Sequence, residues 1–131
     1  MGTFRQFVKK TLLYQALDLL RSNLRRLHII KEWQRQGCPI LPPPDVKHAT
    51  IKEYGKMFRL DVLVKTGTYF GDTIAATRKQ FSNIYSIELS PVLHKRAKER
   101  FARDSRFHLL LGNSGDILTE ILPALTRTPL F

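Results

Sequence analysis

The stretch that most constrains the fold is residues 62–72, which read VLVKTGTYFGD. Its apolar run stops at two glycines, Gly67 and Gly71, and a helical pattern follows. This order predicts a buried strand, a tight turn and a helix start. Such a turn places backbone N–H groups and the positive end of a helix at the carboxyl edge of a strand, where open α/β sheets bind nucleotide-like ligands.

Strands and helices alternate from about residue 60 onward. Further strands are predicted at residues 84–88 and 107–111, and residues 129–131 resemble the start of a fourth. Asp72 is expected to cap a helix over residues 73–81, and Ser90 with Pro91 to begin one that ends near residue 102. The last helix is expected over residues 116–125, with Pro123 weakening its end. Each pair of strands is joined by one short connection that contains a helix, as in a crossover unit. The strands should therefore be parallel, which predicts an α/β, Rossmann-like sheet.

The N-terminal part carries a different pattern. Its apolar residues recur at steps of four and three, with basic residues between them: Leu13, Leu17, Leu20, Leu24 and Leu27. This spacing predicts an amphipathic helix over residues 4–36, broken near Ser22 and Asn23. Such a helix suits packing on its own domain, pairing with a second copy, or peripheral contact with an anionic membrane.

These patterns divide the chain into three parts. Residues 1–36 form a basic amphipathic helical segment, and residues 37–48 form a connector that contains four prolines. The α/β part occupies residues 49–131 and opens with a short helix over residues 49–58. Proline removes backbone donors and favours extended neighbours, so we expect the connector to be non-helical.

Charge and cysteine content limit the function classes. The net charge is +11, with twelve Lys and Arg against four acids in residues 1–59 and ten against seven in residues 60–131. The excess therefore lies away from the glycine turn, and we do not expect a nucleic-acid partner. Cys38 is the only cysteine, which excludes an intramolecular disulfide and makes the cytoplasm the expected location.

The residues around the turn argue against a phosphate ligand. Counting a G-x-G-x-x-G fingerprint from Gly67 places Tyr69 and Asp72 at the second and third glycine positions. Glu88 ends the second predicted strand, 21 residues beyond Gly67, where a carboxylate can accept both ribose hydroxyls. The alternative is a surface carboxylate before a helix. A nucleoside ligand without phosphate, such as S-adenosylmethionine, suits this set.

Asn113 and Ser114 follow the end of the third predicted strand, at the same sheet edge. An adenine ring could rest there and find hydrogen-bond partners. Ser114 is also suited to capping the helix that follows, and the two roles are compatible.

Three motifs resemble the cofactor half of class I S-adenosylmethionine-dependent methyltransferases. They are VLVKTGTYFGDT, YSIELSP and LLGNSGD, and they are most similar to a bacterial subgroup with E-T-G-T-Y-x-G-D, I-Y-S-I-E-L-S and G-D-S-G. The resemblance covers about residues 42–131. It implies the first half of that fold, S-adenosylmethionine as cofactor, and a small-molecule or saccharide acceptor. The cofactor-binding positions it implies are Lys65, Thr66, Gly67, Thr68, Gly71, Asp72, Glu88, Leu89, Asn113 and Ser114.

Within that set, the resemblance gives each motif a role. Residues 66–68 and Gly71 surround the methionine and ribose parts, Glu88 holds the ribose, and Asn113 with Ser114 lies near adenine. No catalytic residue is assigned. The four histidines are scattered, so no metal site is expected.

Two positions depart from the subgroup. Lys65 replaces an acid that would lie near the ammonium of the cofactor, and two like charges at ~4 Å cost on the order of 4 kcal/mol at an effective dielectric near 20. Lys65 would escape this cost by turning away, by pairing with Asp72 or Glu88, or by contacting the carboxylate of the cofactor. Asn113 replaces an aspartate, and its amide oxygen can still accept a hydrogen bond.

In the family, the segments that build the acceptor pocket come after the part that these motifs cover, so we expect the methyltransferase domain here to be truncated. The edge of the first strand is then open, and we expect a homo-oligomer or a partner protein to cover it. The alternative function is a non-catalytic binding module that attaches to a partner through its basic helix and this edge.

Overall fold

A computed structural model describes the backbone of residues 2–126 and the side chains of residues 12–125. Residues 1–49 and 50–131 form two compact units. In chain order the elements are α1 (Gly2–Arg35), α2 (Pro44–Met57), β1 (Val62–Thr66), α3 (Asp72–Thr77), β2 (Asn83–Glu88), α4 (Pro91–Arg100), β3 (Phe107–Leu111) and α5 (Ser114–Thr126).

The three strands form one parallel sheet in the order β1-β2-β3. The predicted α/β, Rossmann-like class with preceding helices is confirmed. The core is built by Ile74 of α3, Ile84 of β2, and Phe81 and Phe101, which follow α3 and α4. The predicted fourth strand at residues 129–131 lies outside the described residues.

Helix α1 is continuous, so the predicted break near Ser22 and Asn23 is wrong. The hydroxyl of Ser22 donates to the carbonyl of Leu19 at 2.8 Å, which keeps this polar residue within the helix. Beyond the helix end, the indole N–H of Trp33 donates to the carbonyl of Pro39 at 3.1 Å and ties the connector back to α1.

Helix α2 begins at Pro44, five residues before the predicted start. The carbonyl of Pro43 accepts from the N–H groups of Val46 at 3.0 Å and Lys47 at 3.3 Å, so Pro44 occupies the first helical position. Proline is favoured there because the N–H that it lacks has no intrahelical partner. The proline run therefore starts a helix as well as forming a connector.

In the α/β unit, Asp72 does not cap α3 as predicted. The residue before the helix is Gly71, with φ of 80° and no side-chain cap, and the helix ends at Thr77 instead of residue 81. The predicted start of α4 is confirmed, since the Ser90 hydroxyl accepts from the Leu93 N–H at 3.4 Å. Helix α5 begins at Ser114 and continues through Pro123 to Thr126.

Candidate functional site

The carboxyl ends of the three strands lie side by side. The N–H of Gly67, just after β1, donates to the Ile87 carbonyl at 2.8 Å, and the N–H of Gly112, just after β3, donates to the Glu88 carbonyl at 2.9 Å. These bonds extend the sheet ladder into the turns. They bring the glycine turn, Glu88 and the start of α5 to one edge of the sheet.

The turn after β1 contains three residues with positive φ: Gly67 at 71°, Tyr69 at 52° and Gly71 at 80°. A Cβ added at Gly67 would meet no atom within 4 Å, whereas one at Gly71 would lie 2.6 Å from the Phe101 ring. Gly71 therefore permits the turn to pack against α4. Gly67 leaves open space beside the backbone, where a ligand can approach it closely.

Thr68 and Ser86 anchor the turn on the sheet. Their hydroxyl oxygens lie 2.7 Å apart, and both residues are buried. The Thr68 hydroxyl is thus hydrogen-bonded to the sheet. Thr66, at the end of β1, is exposed. Cofactor binding by either residue stays a prediction.

Glu88 is buried, with 8% of its surface exposed, so the surface-carboxylate alternative is wrong. Its Oε2 accepts from the Tyr69 N–H at 2.8 Å and its Oε1 from the Ser90 N–H at 3.0 Å. Burial alone would raise the pKa of Glu88. Hydrogen bonds from the backbone N–H groups of Ser90 and Tyr69, with weaker backbone interactions from Thr68 and Leu89, outweigh burial and hold the pKa below its ordinary value of 4.5. The carboxyl is therefore ionised at neutral pH, and since each of its oxygens has two lone pairs, it can accept further hydrogen bonds.

Asn113 caps α5, whereas the sequence pattern predicts this role for Ser114, which is the first residue of the helix. The side-chain oxygen of Asn113 accepts from the Gly115 N–H at 2.7 Å, and its carbonyl accepts from the Ile117 N–H at 3.1 Å. The amide oxygen expected to meet adenine thus has one lone pair in use and one left. Leu89, which follows Glu88, is 69% exposed at the same edge.

Lys65 and Asp72 have separate partners at this edge. The Lys65 ammonium donates to the Gly67 carbonyl, so its side chain follows the turn. Asp72 Oδ1 lies 2.7 Å from Arg100 Nη1, which also donates to the Phe70 carbonyl. Arg100 could not be predicted as the partner of Asp72, because no local sequence pattern links residues 28 positions apart.

Within the described part of the chain, no group of three or more His, Cys, Asp or Glu side chains could hold a metal ion. No helix among residues 2–126 is long and apolar enough to cross a membrane.

Neither a protein-family model nor a curated protein matches this chain. Solved structures do match it. An O-methyltransferase from Bacillus cereus in complex with SAH is 13% identical, with a TM-score of 0.54, over 75% of this chain and 47% of that one. A protein from Staphylococcus aureus assigned as a caffeoyl-CoA O-methyltransferase is 15% identical, with a TM-score of 0.55, over 84% of this chain and 55% of that one.

A protein from Klebsiella pneumoniae assigned as an O-methyltransferase is also 15% identical, with a TM-score of 0.52, over 81% of this chain and 49% of that one. This chain thus spans about half the length of the structures that it matches. At these identities the likeness establishes the fold alone, an α/β, Rossmann-like fold that this chain shares with those structures.

Proposed function

We propose that residues 50–131 bind S-adenosylmethionine and form the cofactor half of a methyltransferase acting on a small molecule or saccharide. The observation that carries this proposal is Glu88, a buried and ionised acceptor at the end of β2, bonded to the Tyr69 N–H in the same turn as Gly67, whose Cβ position is open. The likeness to an O-methyltransferase in complex with SAH supports the same ligand class.

The residues at this edge fit that cofactor. The two Glu88 oxygens would accept from the ribose hydroxyls with the lone pairs that the backbone leaves open, and the amide oxygen of Asn113 would accept from the adenine amino group. The methionine part would lie against the open side of Gly67. Exposed Leu89 would provide apolar surface for the adenine ring.

When bound, S-adenosylmethionine supplies an electrophilic methyl group on a sulfonium. The described residues bind and orient, and none is assigned as a general base. Positioning a reactive group against an acceptor accounts for a large share of catalysis in general, so the acceptor half of the site would complete the activity. The proposed cytoplasmic location rests on the single cysteine.

Isothermal titration calorimetry with S-adenosylmethionine and S-adenosylhomocysteine tests the proposal. We expect the wild-type chain to bind at least one of them, and the Gly67→Ala variant to lose affinity because a Cβ occupies the open side of the turn. The matched control is Gly37→Ala, because Gly37 has φ of 80°, also has no atom near its Cβ position, and belongs to the other unit.

Two results would contradict the cofactor proposal. One is an absence of heat from both ligands with the wild-type chain. The other is an equal loss of affinity in Gly67→Ala and Gly37→Ala, which would mean that backbone strain and not the open site is responsible.

A second candidate function is a non-catalytic module that binds a partner protein along the edge of β1. Among the described residues, β1 pairs with β2 alone. Since the Gly67 N–H points to β2 and N–H directions alternate along a strand, the N–H groups of Val64 and Thr66 point to the other side. Beside this edge lies an apolar groove of about 240 Å³, lined by Thr50, Ile51, Tyr54, Gly55, Leu60, Val62, Leu63 and Phe81.

The module would take an extended strand from a partner or from a second copy. Val64→Pro removes one outward N–H without removing a bond to β2, and edge positions tolerate proline. We expect this variant to lose edge-dependent association in sedimentation velocity while its circular dichroism spectrum is kept. Association unchanged by Val64→Pro would contradict pairing at this edge.

A further inference from the structure

The leucines of α1 follow a heptad spacing and are open to solvent. Their steps of four, three, four and three residues correspond to alternating d and a positions of a coiled coil: Leu13, Leu17, Leu20, Leu24 and Leu27. Their exposed fractions run from 39% for Leu17 to 65% for Leu24. A helix stripe that repeats every 3.5 residues matches the seam of a left-handed coiled coil.

We propose that α1 pairs in parallel with α1 of a second copy of this chain, through the leucine seam of residues 13–27. Leu17 and Leu24 would fill the a positions, and the other three leucines the d positions. Lys31 occupies the next a position and ends the run of leucine layers. The continuous helix supports this register, because α1 has no break from Gly2 to Arg35.

The residues that flank the seam are compatible with the parallel arrangement. In a parallel pair each g residue faces the e residue five positions ahead on the partner helix, so Ala16 faces Arg21 and Asn23 faces His28. No two formal charges of like sign meet there. In an antiparallel pair e residues face e residues, so Arg21 would face Tyr14, Arg21 or His28 of the second copy, depending on the register.

The pattern suits a second helix better than a membrane surface. An interfacial helix separates its charged face from its apolar face. Here Leu12 and Leu19, which are 59% and 62% exposed, occupy c positions away from the seam. Arg21, at an e position, lies nearer the seam than either of them. Apolar and cationic residues therefore alternate around α1.

Sedimentation equilibrium of the full chain over the micromolar range tests the pairing with two matched double variants. L13Q/L20Q changes two seam leucines that are 60% and 57% exposed. L12Q/L19Q changes their immediate neighbours, 59% and 62% exposed, and introduces the same residue into the same helix. Glutamine keeps high helix propensity, so both variants should remain helical by circular dichroism.

We expect the wild type and L12Q/L19Q to form dimers, and L13Q/L20Q to dissociate with a dissociation constant raised about 100-fold or more. A monomeric wild type throughout the range would overturn the proposal. Equal effects of the two double variants would also overturn it. So would a monomer that binds phosphatidylserine vesicles and loses this binding in L13Q/L20Q, which would assign the seam to a membrane.

Cys38 tests the orientation, because it is the only cysteine and lies exposed three residues beyond α1. In a parallel pair the two Cys38 residues lie at the same end. In an antiparallel pair centred on Leu20 they would lie about 50 Å apart, at 1.5 Å per residue. A short bis-maleimide should link the wild-type dimer and L12Q/L19Q, but not Cys38→Ser or L13Q/L20Q. A dimer that resists this linkage would overturn the parallel arrangement.

Discussion

Glu88 is ionised in a buried position because backbone N–H groups replace the water that burial removes. The sequence could place Glu88 at the end of a strand, since the strand pattern and the following Ser-Pro pair are local signals. It could not predict that the carboxylate also holds the turn through the Tyr69 N–H, because that contact joins residues 19 positions apart. The same residue thus fixes the turn and faces the proposed ligand.

The Lys65→Glu variant should bind S-adenosylmethionine more tightly than the wild type, by about tenfold or more, because it replaces a cation with an acid near the ammonium of the cofactor. Calorimetry measures the difference. Lys79→Glu makes the same change in net charge in an exposed residue beyond α3 and serves as the control. Unchanged affinity in Lys65→Glu would mean that Lys65 does not face the cofactor ammonium.

Acid should destabilise the α/β unit through Glu88. Because the folded pKa of Glu88 is depressed, its contribution is present above the ordinary value of 4.5 and is lost as pH falls through the folded pKa. Glu88→Gln leaves one backbone N–H without its acceptor, so it should lower the free energy of unfolding by about 1–3 kcal/mol at neutral pH. It should also flatten the acid dependence below 4.5 in urea unfolding.

Asp104 provides a comparison for the pH profile. Hydrogen bonds from Arg106 lower its pKa from 3.8 to about 2, so its contribution is lost between those values. Asp104→Asn should therefore alter the profile only in that more acidic window. A Glu88→Gln profile parallel to the wild type would show that Glu88 is not the group that titrates.

The turn and α4 are packed as a pair of elements. Gly71 lies against Phe101, and Arg100 reaches both Asp72 and the Phe70 carbonyl. The order of elements and the start of α4 could be predicted, because Ser90-Pro91 is a local capping signal. The start of α2 could not, since consecutive prolines do not reveal which one begins a helix. The Asp72–Arg100 ion pair joins residues that are far apart in the sequence, so no periodic pattern predicts it.

Gly71→Ala should destabilise the α/β unit more than Gly67→Ala does. Both variants place a side chain at positive φ, at a cost of roughly 1–2 kcal/mol. Only Gly71→Ala also brings a Cβ against the Phe101 ring, which adds about 1–3 kcal/mol of overpacking. Urea denaturation compares the two free energies of unfolding. Equal values would mean that the turn relaxes away from α4 without cost.

At the level of the whole molecule, two compact units divide the chain after residue 49. The residues that build the core of the α/β unit all lie beyond this point, and Ile51 of α2 packs against them. A division could be anticipated from the change from a leucine stripe to strand-helix alternation. The sequence pattern places the start of the α/β part at residue 49, but it does not predict that α2 runs continuously across the division.

A fragment of residues 44–131 should therefore fold and bind the cofactor with the affinity of the full chain. It retains α2 in full, and with it the contact of Ile51 with the core. Circular dichroism and calorimetry check folding and binding separately. A folded fragment without affinity, alongside a full chain that binds, would mean that residues 1–43 take part in the site.

Trp33, whose indole donates to the Pro39 carbonyl, is an intrinsic fluorescence probe of the junction between α1 and the connector. Trp33 is the only tryptophan, and it belongs to the first unit. Tyr54, Tyr69 and Tyr85 belong to the second. Tryptophan emission during denaturation will therefore follow the junction between α1 and the connector, whereas tyrosine absorbance will be weighted towards the α/β unit. Two transitions that do not coincide would report, without any added dye, that the units unfold separately.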